Sequence, residues 1–198
     1  MQGNTTDAIA AYSRSLELDP DRISARFSLA ETYLEAERYE EAMKVYQALV
    51  EQGEELQGDD LAASYAGLAD TYNSLGRYDD AIATSKTLLE QFEDDPEGYY
   101  QLATAYDALD RYDEAIENYQ NAIDSDPLNA DYYNDLADTF REVKRFDEAV
   151  DAAQQAIAMD PSLIIAYETL AQIYDEMGQP EEAATAREQA NALNLVTE

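Results

Sequence analysis

A four-residue run, an aromatic residue or proline followed by two acidic residues and an alanine, recurs five times along this chain. Its copies are YEEA from Tyr39, YDDA from Tyr78, YDEA from Tyr112, FDEA from Phe146 and PEEA from Pro180. The alanines that end these runs are 39, 34, 34 and 34 residues apart. A nearly constant period of this length indicates a stack of similar supersecondary units rather than a single globular core.

Apolar residues repeat with the same period in units that begin near Ile23, Ala62, Pro96, Ala130 and Ile164. The seventh residue of each unit is a leucine and the eighth is an alanine, namely Leu29-Ala30, Leu68-Ala69, Leu102-Ala103, Leu136-Ala137 and Leu170-Ala171. Within each unit the apolar residues follow i, i+3, i+4 and i+7 spacing, which predicts two helices of about a dozen residues. Alanine lets the two helix axes approach closely. One such unit cannot bury both of its apolar faces, so stacking is required for stability.

This period, the Leu-Ala pairs and the Asp-Pro turns at Asp19-Pro20, Asp126-Pro127 and Asp160-Pro161 resemble the tetratricopeptide repeat family. The resemblance implies an all-α fold, a right-handed superhelical solenoid of antiparallel helix pairs with about eleven helices. We expect residues 1–22 to be the second half of a truncated repeat. Residues 23–198 are expected to form five complete repeats starting near 23, 62, 96, 130 and 164. A longer turn is expected at 51–60, where five extra residues and two glycines occur.

Charged residues are placed where helix ends favour them. Asp95 before Pro96 predicts a helix N-cap followed by a first-turn proline. Four arginines are expected to end first helices, where a cation interacts favourably with the helix dipole, and the acidic pairs that follow are expected to open second helices. These arginines are Arg38, Arg77, Arg111 and Arg145. Part of the negative charge is therefore explained by helix formation.

Composition restricts the classes of function. The chain has no Cys and no His, and its 44 acidic and 12 basic residues give a formal charge of −32. We therefore expect no catalytic residue, no metal site, no cofactor and no enzyme activity. Such a negative surface repels phosphate backbones and anionic lipids, so nucleic acid is not an expected partner. Only three basic residues are lysines, which also fits adaptation to a saline cytoplasm.

The compartment is left open by the sequence, with the cytoplasm favoured. No apolar run has the roughly 18–20 residues that a membrane-spanning helix needs, so we expect no membrane insertion. The first residues have neither a basic segment nor an apolar one, so no signal peptide is recognised there.

In tetratricopeptide repeat proteins the first helix of each pair lines the concave surface, at about positions two, five, nine, twelve and thirteen. Eleven of the 25 residues at these positions are acidic and one is basic. The resemblance thus implies a concave face that lacks the cations of a carboxylate clamp and favours a partner protein or peptide with a cationic segment. The alternative is that this face only shares the general acidity of the surface. The predicted partner-binding residues are Glu31, Glu35, Asp70, Asn73, Tyr100, Thr104, Asp107, Asp131, Asn134, Asp138, Arg141, Glu142, Glu168, Gln172 and Asp175.

We expect the binding to be centred on the repeats that begin at Pro96 and Ala130. The function implied by the resemblance is a protein–protein interaction scaffold. Two alternatives are a self-assembling structural module and the non-catalytic arm of a larger multidomain enzyme. Self-association is expected through the N-terminal edge, around Ile9, Tyr12 and Leu16, since the last helix carries a more polar outer face.

Overall fold

The computed structural model describes residues 2–53, 56 and 58–197, and these residues form eleven α-helices without any strand. The predicted all-α class and the predicted number of helices are confirmed. The helices are α1 Gln2–Leu18, α2 Ile23–Glu35, α3 Tyr39–Glu51, α4 Asp59–Ser74, α5 Tyr78–Gln91, α6 Pro96–Asp107, α7 Tyr112–Ser125, α8 Ala130–Glu142, α9 Phe146–Met159, α10 Ile164–Glu176 and α11 Pro180–Thr197.

The chain divides into two compact units, Met1–Ala105 and Tyr106–Glu198. In the first unit, α2 packs against α1 and α3, and α4 packs against α3 and α5. In the second unit, each helix from α7 to α11 packs against the next one, and α8 also contacts α10. Within each unit, the helices of a pair are joined by short turns, which make them antiparallel.

Four of the five turns within helix pairs contain an arginine and are built in the same way. In each of these four, one residue with positive φ follows the first helix, and it is Glu37, Gly76, Asp110 or Lys144. The N–H of the following arginine then donates to a carbonyl five residues back, which closes the helix in the manner of a Schellman motif. These bonds are Arg38 to Tyr33 at 2.8 Å, and Arg77 to Tyr72, Arg111 to Tyr106 and Arg145 to Phe140 at 2.9 Å each.

The side chains of these four arginines stack on the aromatic ring of the helix just ended. Their guanidinium carbons lie 4.7, 4.6, 4.3 and 4.5 Å from the ring centroids of Tyr33, Tyr72, Tyr106 and Phe140. Each also pairs with an acid in the first turn of the next helix, Glu41, Asp80, Glu114 or Glu148. The sequence expectation that they end the first helix is therefore wrong: they occupy the N-cap position of the second, because the residue before them leaves helical geometry.

Alanines lie in the core as the repeated Leu-Ala pairs predict, together with leucines and tyrosines. Ala30, Ala69, Ala103 and Ala137 have no exposed surface, which allows close helix approach. The first unit also buries Tyr46, Leu49, Leu68 and Tyr72. In the second unit Tyr132 is the largest fully buried side chain.

The segment between α3 and α4 differs from a simple surface turn. It is limited to residues 52–58, because Asp59 and Asp60 already lie in the first turn of α4, where acids suit the helix N-terminus. Leu56 within it is only 1% exposed and belongs to the core of the first unit. The predicted N-cap at Asp95 is confirmed, since its Oδ1 accepts the N–H of Gly98 at 2.8 Å.

Candidate partner-binding surface

In the first unit the predicted surface residues lie on α2, α4 and α6. Glu31 and Glu35 on α2 are exposed, whereas the four predicted residues on α4 and α6 are half-buried. Asn73 Nδ2 donates to both the carbonyl oxygen and Oε1 of Gln101, at 3.0 Å each, and so ties α4 to α6. Asn73 is therefore already engaged within the fold, and its Oδ1 is buried without a hydrogen-bond partner.

Two carboxylates of the first unit act on the same buried tyrosine. Burial raises the pKa of Tyr46, and the negative charges of Glu31 and Asp70 raise it further. Burial also raises the pKa of Asp70 itself, with a smaller contribution from Glu97. The structure therefore places Glu31 of α2 and Asp70 of α4 near the same buried ring, and Asp70 is the less exposed of the two carboxylates. Tyr100 and Thr104 lie one turn apart on α6, where Thr104 Oγ1 donates to the Tyr100 carbonyl at 3.0 Å.

In the second unit, α8 and α10 carry most of the predicted residues. Asp131 and Glu142 on α8 are exposed, as are Glu168, Gln172 and Asp175 on α10. We call these side chains, together with Asp138, Arg141 and Glu176, the acidic face of the second unit. Glu176 is absent from the predicted set although it shares its repeat position with Glu35 and Glu142.

Arg141 joins the two helices of the acidic face. Its guanidinium donates to Asp138 and Glu142 on α8 and to Glu176 on α10, with contacts of 2.6, 2.7 and 2.7 Å. On α10, Asp175 pairs with Arg187 of α11. Glu168 and Gln172 line a cavity of about 330 Å³ together with Arg187 and Asn191. The acidic face thus has six carboxylates and one arginine, and part of its charge is compensated internally.

Asn134 does not reach the surface in the way that a partner-binding amide would. Its side chain is 7% exposed, and its Nδ2 donates to Asp135 Oδ1 at 3.1 Å. Its Oδ1 is buried and has no hydrogen-bond partner. The sequence position alone did not show this burial, because the same position holds exposed or half-buried residues such as Phe27, Ala66 and Glu168 in other repeats.

Asp107, the last residue of α6, is a half-buried carboxylate of the second unit. It accepts a hydrogen bond from Thr139 Oγ1 at 2.9 Å. Burial raises the pKa of Asp107; the bond from Thr139 opposes this rise, and the negative charges of Asp138, Asp135 and Glu142 add to it. The anionic form of Asp107 is therefore destabilised in the folded protein at neutral pH.

This shift predicts a pH-dependent stability. A carboxyl group whose pKa is raised by folding destabilises the protein above that pKa, and the lost stability returns as the pH falls through it towards the usual 3.8. We expect Asp107→Asn to raise the melting temperature by a few degrees at pH 7. The advantage over wild type should shrink as the pH falls towards about 4, near the ordinary Asp pKa.

Thermal melts of the two proteins across this range would measure the effect. Asp124→Asn, which removes an exposed charge from α7 in the same unit, is the control and should follow the wild-type pH profile. A constant difference between Asp107→Asn and wild type at every pH would contradict the expectation.

Two other features bear on function. Within residues 2–53, 56 and 58–197, no group of three or more acidic side chains is arranged to bind a metal ion. No helix in this described part of the chain combines the length and apolarity needed to span a membrane.

Similarity to known proteins extends over most of the chain. Tetratricopeptide repeat family models match residues 1–65, residues 62–95 and 164–195, and residues 100–164. No curated protein matches this chain in sequence.

Several solved structures share the fold at low sequence identity. MamA is 22% identical, with a TM-score of 0.68 over 85% of this chain and 96% of its own. BtubC from P. vanneervenii is 20% identical, with a TM-score of 0.74 over 98% of this chain and 90% of its own. A structure of the APC/C hetero-tetramer Cut9-Hcn1 is 20% identical, with a TM-score of 0.80 over 96% of this chain but 37% of the chain matched there.

Proposed function

The chain belongs to the tetratricopeptide repeat family, and from this premise we propose that it is a non-catalytic scaffold that binds a cationic segment of a partner protein or peptide. The binding surface in this proposal is the acidic face of the second unit. Family membership supports a protein–protein interaction scaffold, and the electrostatics of this face support the choice of partner.

The observation that carries the proposal is the excess of accessible carboxylates on α8 and α10. The side chains of Asp138, Glu142 and Glu176 are 46, 42 and 40% exposed even while they contact Arg141. Asp131, Glu168 and Asp175 add further negative charge on the same two helices. A surface with this balance attracts lysine and arginine side chains and disfavours acidic partners.

Charge of this kind acts mainly on the rate of association. Several carboxylates on one surface steer a cationic segment towards it, and the effect weakens as salt screens the charges. The partner's affinity is therefore expected to fall between low and physiological ionic strength. The family supplies the general mode of action, whereas the acidic face supplies the preference for cations.

The proposal is tested by titrating the protein with a lysine- and arginine-rich peptide by calorimetry at low ionic strength. The double variant Asp131→Asn/Asp138→Asn should weaken binding about tenfold, which corresponds to about 1.4 kcal/mol. Both substitutions remove negative charge from the acidic face, and Asp138→Asn also leaves Arg141 with two carboxylate partners in place of three. Circular dichroism should show that the helices persist.

A matched control removes the same charge elsewhere in the second unit. Asp124→Asn/Asp151→Asn changes two exposed acids on the second helices α7 and α9. Its binding should stay close to wild type. An equal loss of affinity in both double variants would show that only net charge matters. An affinity that changes neither with salt nor with the α8 substitutions would refute the proposal.

A further inference from the structure

A single guanidinium lies across the acidic face of the second unit. Arg141 Nε and Nη2 donate to Asp138 Oδ1 at 2.9 and 2.6 Å. Nη2 also donates to Glu142 Oε1 at 2.7 Å, and Nη1 donates to Glu176 Oε1 at 2.7 Å. The side chain thereby uses its planar set of donors on three carboxylates from two different helices, whereas an ammonium would have to reach all three from one nitrogen.

This arginine differs from those in the turns. Its side chain is 17% exposed, whereas the side chains of Arg38, Arg77, Arg111 and Arg145 are 43–47% exposed and each pairs with a nearby acid of its own turn. Burial alone would lower the pKa of Arg141. Hydrogen bonds to Glu176 and Asp138 and the negative charges of Asp138 and Glu142 outweigh burial and raise it. The guanidinium is therefore held in its charged form.

We propose that Arg141 is an internal competitor for the partner, occupying the place on the acidic face that an arginine of a cationic segment would otherwise take. This inference rests on the proposed function and adds a regulation of the same surface. The three carboxylates around Arg141 already show how the face binds a guanidinium. The partner's arginine must displace this side chain or bind beside it.

A second observation is a buried hydrogen-bond acceptor in this region that the donors of Arg141 do not pair. Asn134 lies one helical turn before Asp138 on α8, and it is 7% exposed. Its Oδ1 has no hydrogen-bond donor, while its Nδ2 is directed to the carboxylate of Asp135. Buried acceptors are normally paired. Asn134 Oδ1 is thus a buried acceptor, four residues before Asp138, that the chain itself leaves unpaired.

The alternative role for Arg141 is a simple brace between α8 and α10. The two roles predict opposite effects on binding. A brace that is removed would loosen the face and weaken binding, whereas a competitor that is removed would free Asp138, Glu142 and Glu176 for the partner. Arg141→Lys separates occupancy from charge, because lysine keeps the charge but offers one nitrogen in place of the three that contact Asp138, Glu142 and Glu176.

The experiment measures the affinity of an oligoarginine peptide for the full chain by calorimetry at low ionic strength. Arg141→Gln should bind about tenfold more tightly than wild type, and Arg141→Lys about threefold more tightly, the range expected for losing one multidentate charged contact. Arg145→Gln removes the same charge from a turn, and its affinity should rise by less than about twofold, since only long-range charge changes.

Each outcome decides the matter. Suppose that Arg141→Lys binds like wild type and Arg141→Gln binds like Arg145→Gln. Only charge then matters, and the role of Arg141 as a competitor is refuted. Binding by the wild type would still support the proposed function. Weaker binding by both Arg141 variants would establish the brace. If neither wild type nor any variant binds oligoarginine, the proposed function itself fails, and the inference with it. Should Arg141→Gln fold poorly, Arg141→Lys with its retained charge decides alone.

Discussion

Replacing Gly67 by alanine should lower the free energy of unfolding by about 2 kcal/mol, although alanine is the better helix former. Gly67 lies inside α4, and a Cβ atom at this position would overlap ring atoms Cε1 and Cζ of Tyr46. Tyr46 is 3% exposed and belongs to the core of the first unit, so its rigid ring has little room to move. Overpacking of a core typically costs about 1–3 kcal/mol. Chemical denaturation would measure the change.

Gly98→Ala is the matched control. Gly98 also lies in a helix, but the nearest atoms to an added Cβ are the side-chain carbons of Leu89 at 2.9 and 3.0 Å and of Leu88 at 3.2 Å. A leucine side chain can shift more easily than a tyrosine ring, so this variant should lose less stability. A double variant Gly67→Ala/Tyr46→Leu should recover part of the loss through favourable coupling. Equal stabilities for Gly67→Ala and wild type would show that the ring adapts freely.

The melting temperature should rise by about 10 °C when NaCl increases from roughly 0.01 to 1 M, because the Debye length falls from about 30 to about 3 Å. The physical cause is self-repulsion among 44 acidic residues that only 12 basic residues offset. The structure shows ion pairs on eight arginines, and each of them offsets the negative charge only in its own neighbourhood. Calorimetric melts across this salt series would provide the measurement.

The same series at about pH 4.5, where part of the carboxylates become protonated, is the control. The slope of melting temperature against salt should be smaller there, since less charge remains to be screened. A flat or falling curve at neutral pH would contradict self-repulsion as the main electrostatic contribution, and an unchanged slope at low pH would point to salt effects unrelated to carboxylates.

The fold was predictable because its determinants are local and repeated. The Leu-Ala pairs and the acidic runs recur with a period of 34 residues in the last four repeats, and each indicates the same helix pair. Gly76 and Gly178 at positive φ are recognisable as helix ends. Glu37 and Lys144 take up the same backbone geometry although neither residue type favours it, whereas Asp110 belongs to a type that tolerates it.

The candidate surface was less predictable, since the sequence shows which charges share a face but not which side chains meet. Arg141 reaches Glu176, 35 residues later, and Thr139 reaches Asp107, 32 residues earlier. Such contacts depend on the offset between neighbouring helices and on side-chain rotamers. The burial of Tyr132 and Asn134 has the same origin, because it depends on how closely neighbouring helices pack against α8.

The arginine-closed turns affect how the chain reaches its native state. All the contacts that close the first of these turns, the carbonyl bond, the stacked ring and the ion pair, lie between Tyr33 and Glu41. Because these residues are so near in sequence, bringing them together costs little chain entropy. Helical hairpins can therefore form before distant segments meet, and in a repeat protein folding can nucleate in any of them. We expect rapid folding with several parallel starting points, whose rate is set by the docking of neighbouring hairpins.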